Sequence, residues 1–326
     1  MLIHVRLTVP TALTPQVRDL LVDHDHVTNV TFLEGASLDP VGDLIECDVA
    51  RETASQLLGA LDDLRVTELG GIVVSTPSGT PFAAARRIER LAPGDPDDAV
   101  IWEKVVADAY SASRPTITFH VFLVLATILA AVAVITDSSV LIVGAMVVGP
   151  EFSTVAALCT GLVFFRWGLA GRSLRLLVFS FTFAIAVVAA LAAVLVVLGT
   201  ITPDMVTRPR PQTGFIWHPD IWSFVVALVA GAAGVLALST DKANAMVGVF
   251  ISVTTVPAAG NMALGIATGE TSEIVGSVSQ LGVNLLGMVL AGTIVLALQR
   301  LLWHRVMAHT ERLFGLGRRP DPAVRR

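Results

Sequence analysis

Between residues 117 and 302 the chain is almost continuously apolar, interrupted only by short polar or glycine- and proline-containing breaks. A hydrocarbon core requires about 20 helical residues per crossing. Backbone in lipid must satisfy its own amides and carbonyls, so such runs are constrained to be helices. Six stretches qualify: 117–135, 140–165, 174–198, 221–238, 243–267 and 274–302. A mean hydropathy of +0.73 with 15% charged residues excludes a single soluble domain for the whole chain.

The second and fifth stretches share a skeleton at identical spacing: Thr136-Asp137, Val143-Gly144 and Gly161 in one, Thr240-Asp241, Val247-Gly248 and Gly265 in the other. The same offset pairs Ala126 with Ala230 and Ala133 with Ala237. Three helices per half would insert the second half upside down, giving a 3+3 inverted repeat with a site near mid-membrane. Against this, apolar segments draw on few residue types, so some identities arise by chance.

Both stretches contain helix breakers, Gly149-Pro150 in one and Pro257 followed by Gly260 in the other. Proline removes an amide donor and clashes with the preceding turn. Broken backbone at membrane depth survives where protein or water satisfies it, so it tends to line a cavity. The candidate site therefore comprises Gly149, Pro150, Glu151, Ser153 and Thr154 from one half, and Asn244, Pro257, Asn261 and Gln280 from the other. Glu151 leads this set, because an intramembrane carboxylate is costly to bury. The site could take a proton, a cation or a small polar solute. The bland alternative is close helix packing through small residues, which suits Asn284 and Gly287 better. Asp137 and Asp241 are expected to cap the helices that follow them.

Residues 1–78 read as a soluble α+β domain of order βαββαβ. Strand Leu2–Val9 alternates, with Ile3, Val5, Leu7 and Val9 on one face. Thr14-Pro15 suits a capped helix start, 27–33 and 44–49 alternate as strands around a Gly- and Pro-containing loop, and Ala54, Leu57, Leu58 and Leu61 mark a second helix before strand 72–75. This is the order of the ferredoxin-like arrangement, which many small-molecule sensors use but which assigns no ligand by itself. The cluster Asp23, His24 and His26 offers imidazole and carboxylate to a divalent cation. Adjacent residues on a helix end diverge, which favours plain solvation instead. No cofactor is indicated.

Residues 79–116 form a connector with a basic helix at 82–91 and an amphipathic helix expected from Pro96, and 303–326 form a basic tail. The acidic first domain does not bind nucleic acid by counterion release, while the tail suits anionic lipid. With the N-terminus in the cytosol, Arg166, Arg172, Arg175, Lys242 and the tail fall on the cytoplasmic side, as the positive-inside rule requires. Arg208 and Arg210 run against it. A multi-pass protein of the inner or plasma membrane, with both termini cytoplasmic, is expected.

At Val143-Gly144-Ala145-Met146-Val147-Val148-Gly149-Pro150 the chain resembles the prokaryotic membrane family called domain of unknown function 389, over roughly residues 105 to 300. The resemblance supports the layout and implies no activity. Glu151 departs from the apolar residue expected after the proline.

Two functions are compatible with these residues. One is a transporter or channel regulated by a small ligand, a nucleotide among the candidates, bound to the ferredoxin-like domain. The other is a membrane-anchored signalling module that transports nothing. An enzyme is not expected, since no paired carboxylates, His-Glu-x-x-His or activated nucleophile is present. Exposed sheet edges point to a homo-oligomer.

Overall fold

The computed structural model describes residues 1–92, 95–96, 99–240 and 253–314, with backbone alone for 303–314. The chain divides into two compact units, one built on Met1–Lys104 and the other on Val105–Arg300.

The first unit holds β1 (Leu2–Val9), α1 (Thr14–Val22), β2 (Val27–Leu38), β3 (Val41–Ala50), α2 (Arg51–Asp63), the single turn α3 (Val66–Leu69), β4 (Gly71–Ser75) and α4 (Ala83–Leu91). The four strands form one antiparallel sheet in the order β2-β3-β1-β4. The alternation in β1 is realised, with Ile3, Val5, Leu7 and Val9 fully buried against Val17 and Leu21 of α1 and Leu57 and Leu61 of α2. At about 25 cal/mol per Å2 of apolar surface removed from water, this cluster is the main source of the unit's stability.

Three local expectations are corrected. Thr14 does not cap α1, whose N-cap is Leu13; its hydroxyl donates to Asp43 Oδ2 at 2.5 Å. The loop expected between the second and third strands is a hairpin, since β2 continues to Leu38 through register shifts at 28–31 and 33–37. Gly35 sits in the second of these at φ +59°, a conformation that costs glycine little. Finally, helix α5 (Trp102–Ala112) starts six residues after Pro96. Ala99 to Ile101 are instead non-helical and buried, with Arg51 Nε donating to the Ala99 carbonyl at 3.1 Å.

The second unit contains α6 (Ile117–Thr136), α7 (Ser139–Val148), α8 (Glu151–Val163), α9 (Trp167–Val197), α10 (Pro203–Thr207), a 3-10 turn at Gly214–Ile216, α11 (Ile221–Ser239), α12 (Thr255–Thr268) and α13 (Thr271–Phe314). Among the described residues four helices are long and apolar enough to cross a membrane: α6, α9, α11 and 271–302 of α13. The pair α7 and α8, bent by 53° at Gly149-Pro150, makes a fifth if taken as one broken span. The described part of the expected stretch 243–267 is only the 14-residue α12, too short to cross alone. Among the described residues there are thus four or five such spans where six stretches were expected, and 243–252 of the remaining stretch lies outside them.

Helix starts recur at one offset. Ile117 and Ile221, Glu151 and Thr255, and Trp167 and Thr271 are each 104 residues apart. Details repeat with them. Thr116 and Asp220 each cap a helix by accepting from the amide three residues on. Phe165 and Gly269 each turn the chain at positive φ, 54° and 78°. The amide of Arg166 donates to Gly161 O at 2.8 Å as that of Glu270 does to Gly265 O at 2.9 Å.

A candidate polar site at two helix starts

Proline at 150 ends the α7 ladder and restarts the chain as α8, with Glu151 its first residue. Thr255 is the first residue of α12. The two starts meet: Thr255 Oγ1 donates to Glu151 Oε1 at 2.6 Å. Glu151 is 7% exposed, and its second oxygen, Oε2, has no hydrogen-bond partner. That oxygen fits because residue 149 is glycine; a Cβ there would lie 2.4 Å from Oε2 and 2.8 Å from Val256 Cγ2. No basic side chain pairs with this carboxyl among the described residues. Isolated ionised groups cost several kcal/mol to bury, whereas the positive ends of two helices offset part of that cost.

Next to it, Thr254 Oγ1 accepts from Gln280 Nε2 at 3.0 Å and from Asn284 Nδ2 at 2.7 Å. Gln280 Oε1 is buried without a partner. The cluster thus joins α8, α12 and α13 through five side chains: Glu151, Thr254, Thr255, Gln280 and Asn284.

A second buried cluster lies further along α12 and α13. Arg210 Nη2 donates to both oxygens of Glu273 at 2.7 Å, and Nη1 donates to Asn261 Oδ1 at 2.7 Å. Asn261 Nδ2 in turn donates to Glu273 Oε2 at 2.8 Å and to Ser277 Oγ at 2.9 Å. Arg210 and Glu273 side chains are only 2% and 3% exposed, and both carboxylate oxygens of Glu273 are matched. Glu273, Ser277, Gln280 and Asn284 fall at spacings of four, three and four, one face of a helix. The segment carrying Arg210 is also fastened to the end of α6, where Asp137 accepts from Gln212 N at 3.2 Å and Thr213 Oγ1 at 2.9 Å.

The expected site residues separate accordingly. Glu151, Gly149, Pro150 and Gln280 come together. Asn261 belongs to the Arg210 cluster. Ser153 and Thr154 are turned to backbone carbonyls, of Pro150 at 3.0 Å and Ala112 at 3.3 Å. Pro257 does not break its helix; it lies in the first turn of α12, where a missing amide costs nothing, and the break precedes Thr255. Asn244 and Asp241 lie outside the described residues. Asp137 does not cap α7: Ser138 does, accepting from Leu141 N, while Asp137 ends α6 at φ 50°. Arg210 and Glu273 were not among the expected site residues; the one signal for Arg210 in the sequence was its conflict with the expected orientation.

In the first unit, no group of three or more His, Cys, Asp or Glu side chains converges as metal ligands among the described residues. Asp23, His24 and His26 are not gathered: His24 Nδ1 accepts from the His26 amide, and His26 Nε2 faces the Leu91 carbonyl. Burial, then the neighbouring His26, lowers the pKa of His24. A different group stands out. Glu52, 8% exposed, has no partner for either oxygen, and burial pushes its pKa up to about 7.

Residues 146–290 match a family model described as domain of unknown function (DUF389). An uncharacterized protein of Methanocaldococcus jannaschii is 23% identical over 173 residues, which are 53% of this chain and 51% of that relative. The chain thus spans about half the length of the curated relative it matches. No solved structure matches it significantly. The family that the Gly-Ala-Met…Pro signature resembles is therefore the one whose model aligns with this membrane segment.

Proposed function

We propose that this chain is a multi-pass membrane transporter or channel whose solute contacts the Glu151–Thr255 site, regulated by a small ligand on its first unit. The observation that carries this reading is Glu151 itself, 7% exposed at the junction of two helix starts and without a basic partner among the described residues. Buried polarity of this kind is energetically costly in a membrane and commonly marks solute and ion paths. The recurring offset of 104 residues supports a 3+3 inverted repeat, because Glu151 and Thr255 are equivalent positions of the two halves and touch each other.

For the first unit, sheet order β2-β3-β1-β4 with two main helices supports a ferredoxin-like sensor, and a nucleotide is the leading ligand class by fold analogy. The exposed edge strand β2 and its apolar Phe32 and Leu33 support homo-oligomers. In this reading the bilayer is the inner or plasma membrane, both termini are cytoplasmic, and the protein is no enzyme.

The test is solute flux into vesicles holding purified wild type or Glu151→Gln, with nucleotides added on either side. Flux in the wild type that falls in the variant supports transport. Flux equal to that of empty vesicles under every gradient rejects it and leaves a membrane-anchored signalling module. Thermal-shift screening of the full chain against nucleotides tests the sensor, since a ligand of the folded state raises its stability.

A further inference from the structure

We infer that Glu151 is a proton-binding site and that the proton is the ion coupled to solute movement. This inference rests on the transport reading for its coupling role, but not for the proton site itself.

The two buried glutamates of the second unit differ in how charge is balanced. Glu273 is matched in full: Arg210 takes both oxygens and Asn261 adds a further donor. Glu151 receives one hydrogen bond, from a neutral hydroxyl, and Oε2 receives none. Among the described residues of these helices, every other charged or titratable group is engaged elsewhere. Helices α7, α11 and α12 carry no ionisable side chain. On α8 the only other such group is Cys159, two turns away, whose thiol is directed at the Val289 carbonyl. On α6 it is His120, hydrogen-bonded to Ser180. On α13, Glu273 is held by Arg210, and Arg300 donates to the Val163 carbonyl at 3.0 Å. On α9, Arg166 and Arg172 at its start stack over Tyr110, and Arg175 donates to Gly171 O.

A carboxyl without a counter-charge can be neutralised by a proton or by a metal cation. Space decides between them. Oε2 crowds the place where a Cβ on residue 149 would stand, 2.4 Å away, and Val256 Cγ2 closes the same space at 2.8 Å. A metal ion needs several oxygen ligands around it, and the described residues contain no such carboxylate or imidazole group here. A proton needs no room. In this closed arrangement Oε2 bears the hydrogen. Separation of the two helix starts removes Thr255 and admits water to Oε2, the O–H bond breaks, the electron pair stays on the carboxylate and the proton leaves to water. The N-terminus of α8, where Glu151 is the first residue, then stabilises the anion. Carboxylic acid and carboxylate plus proton are the two balanced states of the cycle.

Infrared difference spectroscopy of full-length protein in phosphatidylcholine–phosphatidylglycerol vesicles reads the site directly. On a Glu52→Gln background, since burial raises the pKa of Glu52 to about 7, the carbonyl band of a neutral carboxylic acid is expected at neutral pH with Glu151 in place and with Glu273→Gln, and is expected to be lost with Glu151→Gln, which keeps the acceptor for Thr255. Circular dichroism and size-exclusion profiles check that each variant is folded. A band unchanged by Glu151→Gln, or absent with Glu151 in place, overturns the proton site. A pH-sensitive dye trapped inside the same vesicles reads coupling. Acidification that accompanies solute uptake in wild type and vanishes in Glu151→Gln supports the coupling; uptake without acidification overturns it while leaving transport intact. A band assigned to Glu151 in vesicles that move no solute upholds the proton site and rejects the transport reading.

Discussion

Glu151 and Thr255 are the first residues of two helices, stand 104 positions apart and hydrogen-bond to each other at 2.6 Å. This bond ties the start of α8 to the start of α12. Replacing Thr255 by Val keeps the shape and removes the only side-chain donor to Glu151 among the described residues. The expected cost is on the order of 1–3 kcal/mol, the range for leaving a buried polar group unsatisfied. Thermal unfolding in detergent should show a lower Tm for Thr255→Val and near wild-type behaviour for Thr255→Ser.

The Arg210–Glu273 pair makes a contrasting prediction. Removing one member strands a charge that is nearly inaccessible to water, so Arg210→Met or Glu273→Met is expected to destabilise by about 3–5 kcal/mol. The double variant leaves no stranded charge and should recover most of the loss. A double-mutant cycle on denaturation midpoints measures it.

Glu52 sets a pH dependence in the first unit. Its ordinary value of 4.5 applies to the unfolded chain, and burial raises it to about 7 in the fold. The folded state therefore holds the proton more tightly between these values. Stability contributed by the neutral acid is complete below pH 4.5 and is lost as pH rises toward 7, by an amount on the order of 3 kcal/mol. Glu52→Gln should flatten that slope in a series of Tm measurements across this window.

Cys47 is fully buried, and desolvation pushes its thiol up to about 12. Thiolate is the reactive form, so a maleimide should fail to label Cys47 in the native protein at neutral pH. Cys159 is buried as well. Mass spectrometry should therefore find no adduct until denaturant is added, and two adducts after it.

Much of this was legible in the residues because it depends on periodicity. The alternation of Ile3, Val5, Leu7 and Val9 gave β1 its buried face, and Gly149-Pro150 marked the bend between α7 and α8. What periodicity does not encode is partnership across the fold. Pro257 looked like a breaker, but a proline in a first turn is harmless, and only the start of α12 at Thr255 shows which case applies. Asn261 was grouped with Glu151 on polarity alone, whereas the ion pair that captures it comes from Arg210, 51 residues earlier in the segment between α9 and α11. Thr14 has the residue type of a helix cap, yet Asp43 offered it a stronger acceptor.

The spacing along α13 has a mechanical meaning. A slide of that helix by one turn, about 5.4 Å, would carry Glu273 away and present Ser277 to Arg210 in its place. A guanidinium facing a hydroxyl instead of a carboxylate would lose its charge partner, so Arg210 acts as a detent that locks α13 in a single notch. Any transition that shifts this helix must first lift the 200–220 segment off Asp137 and Glu273 together.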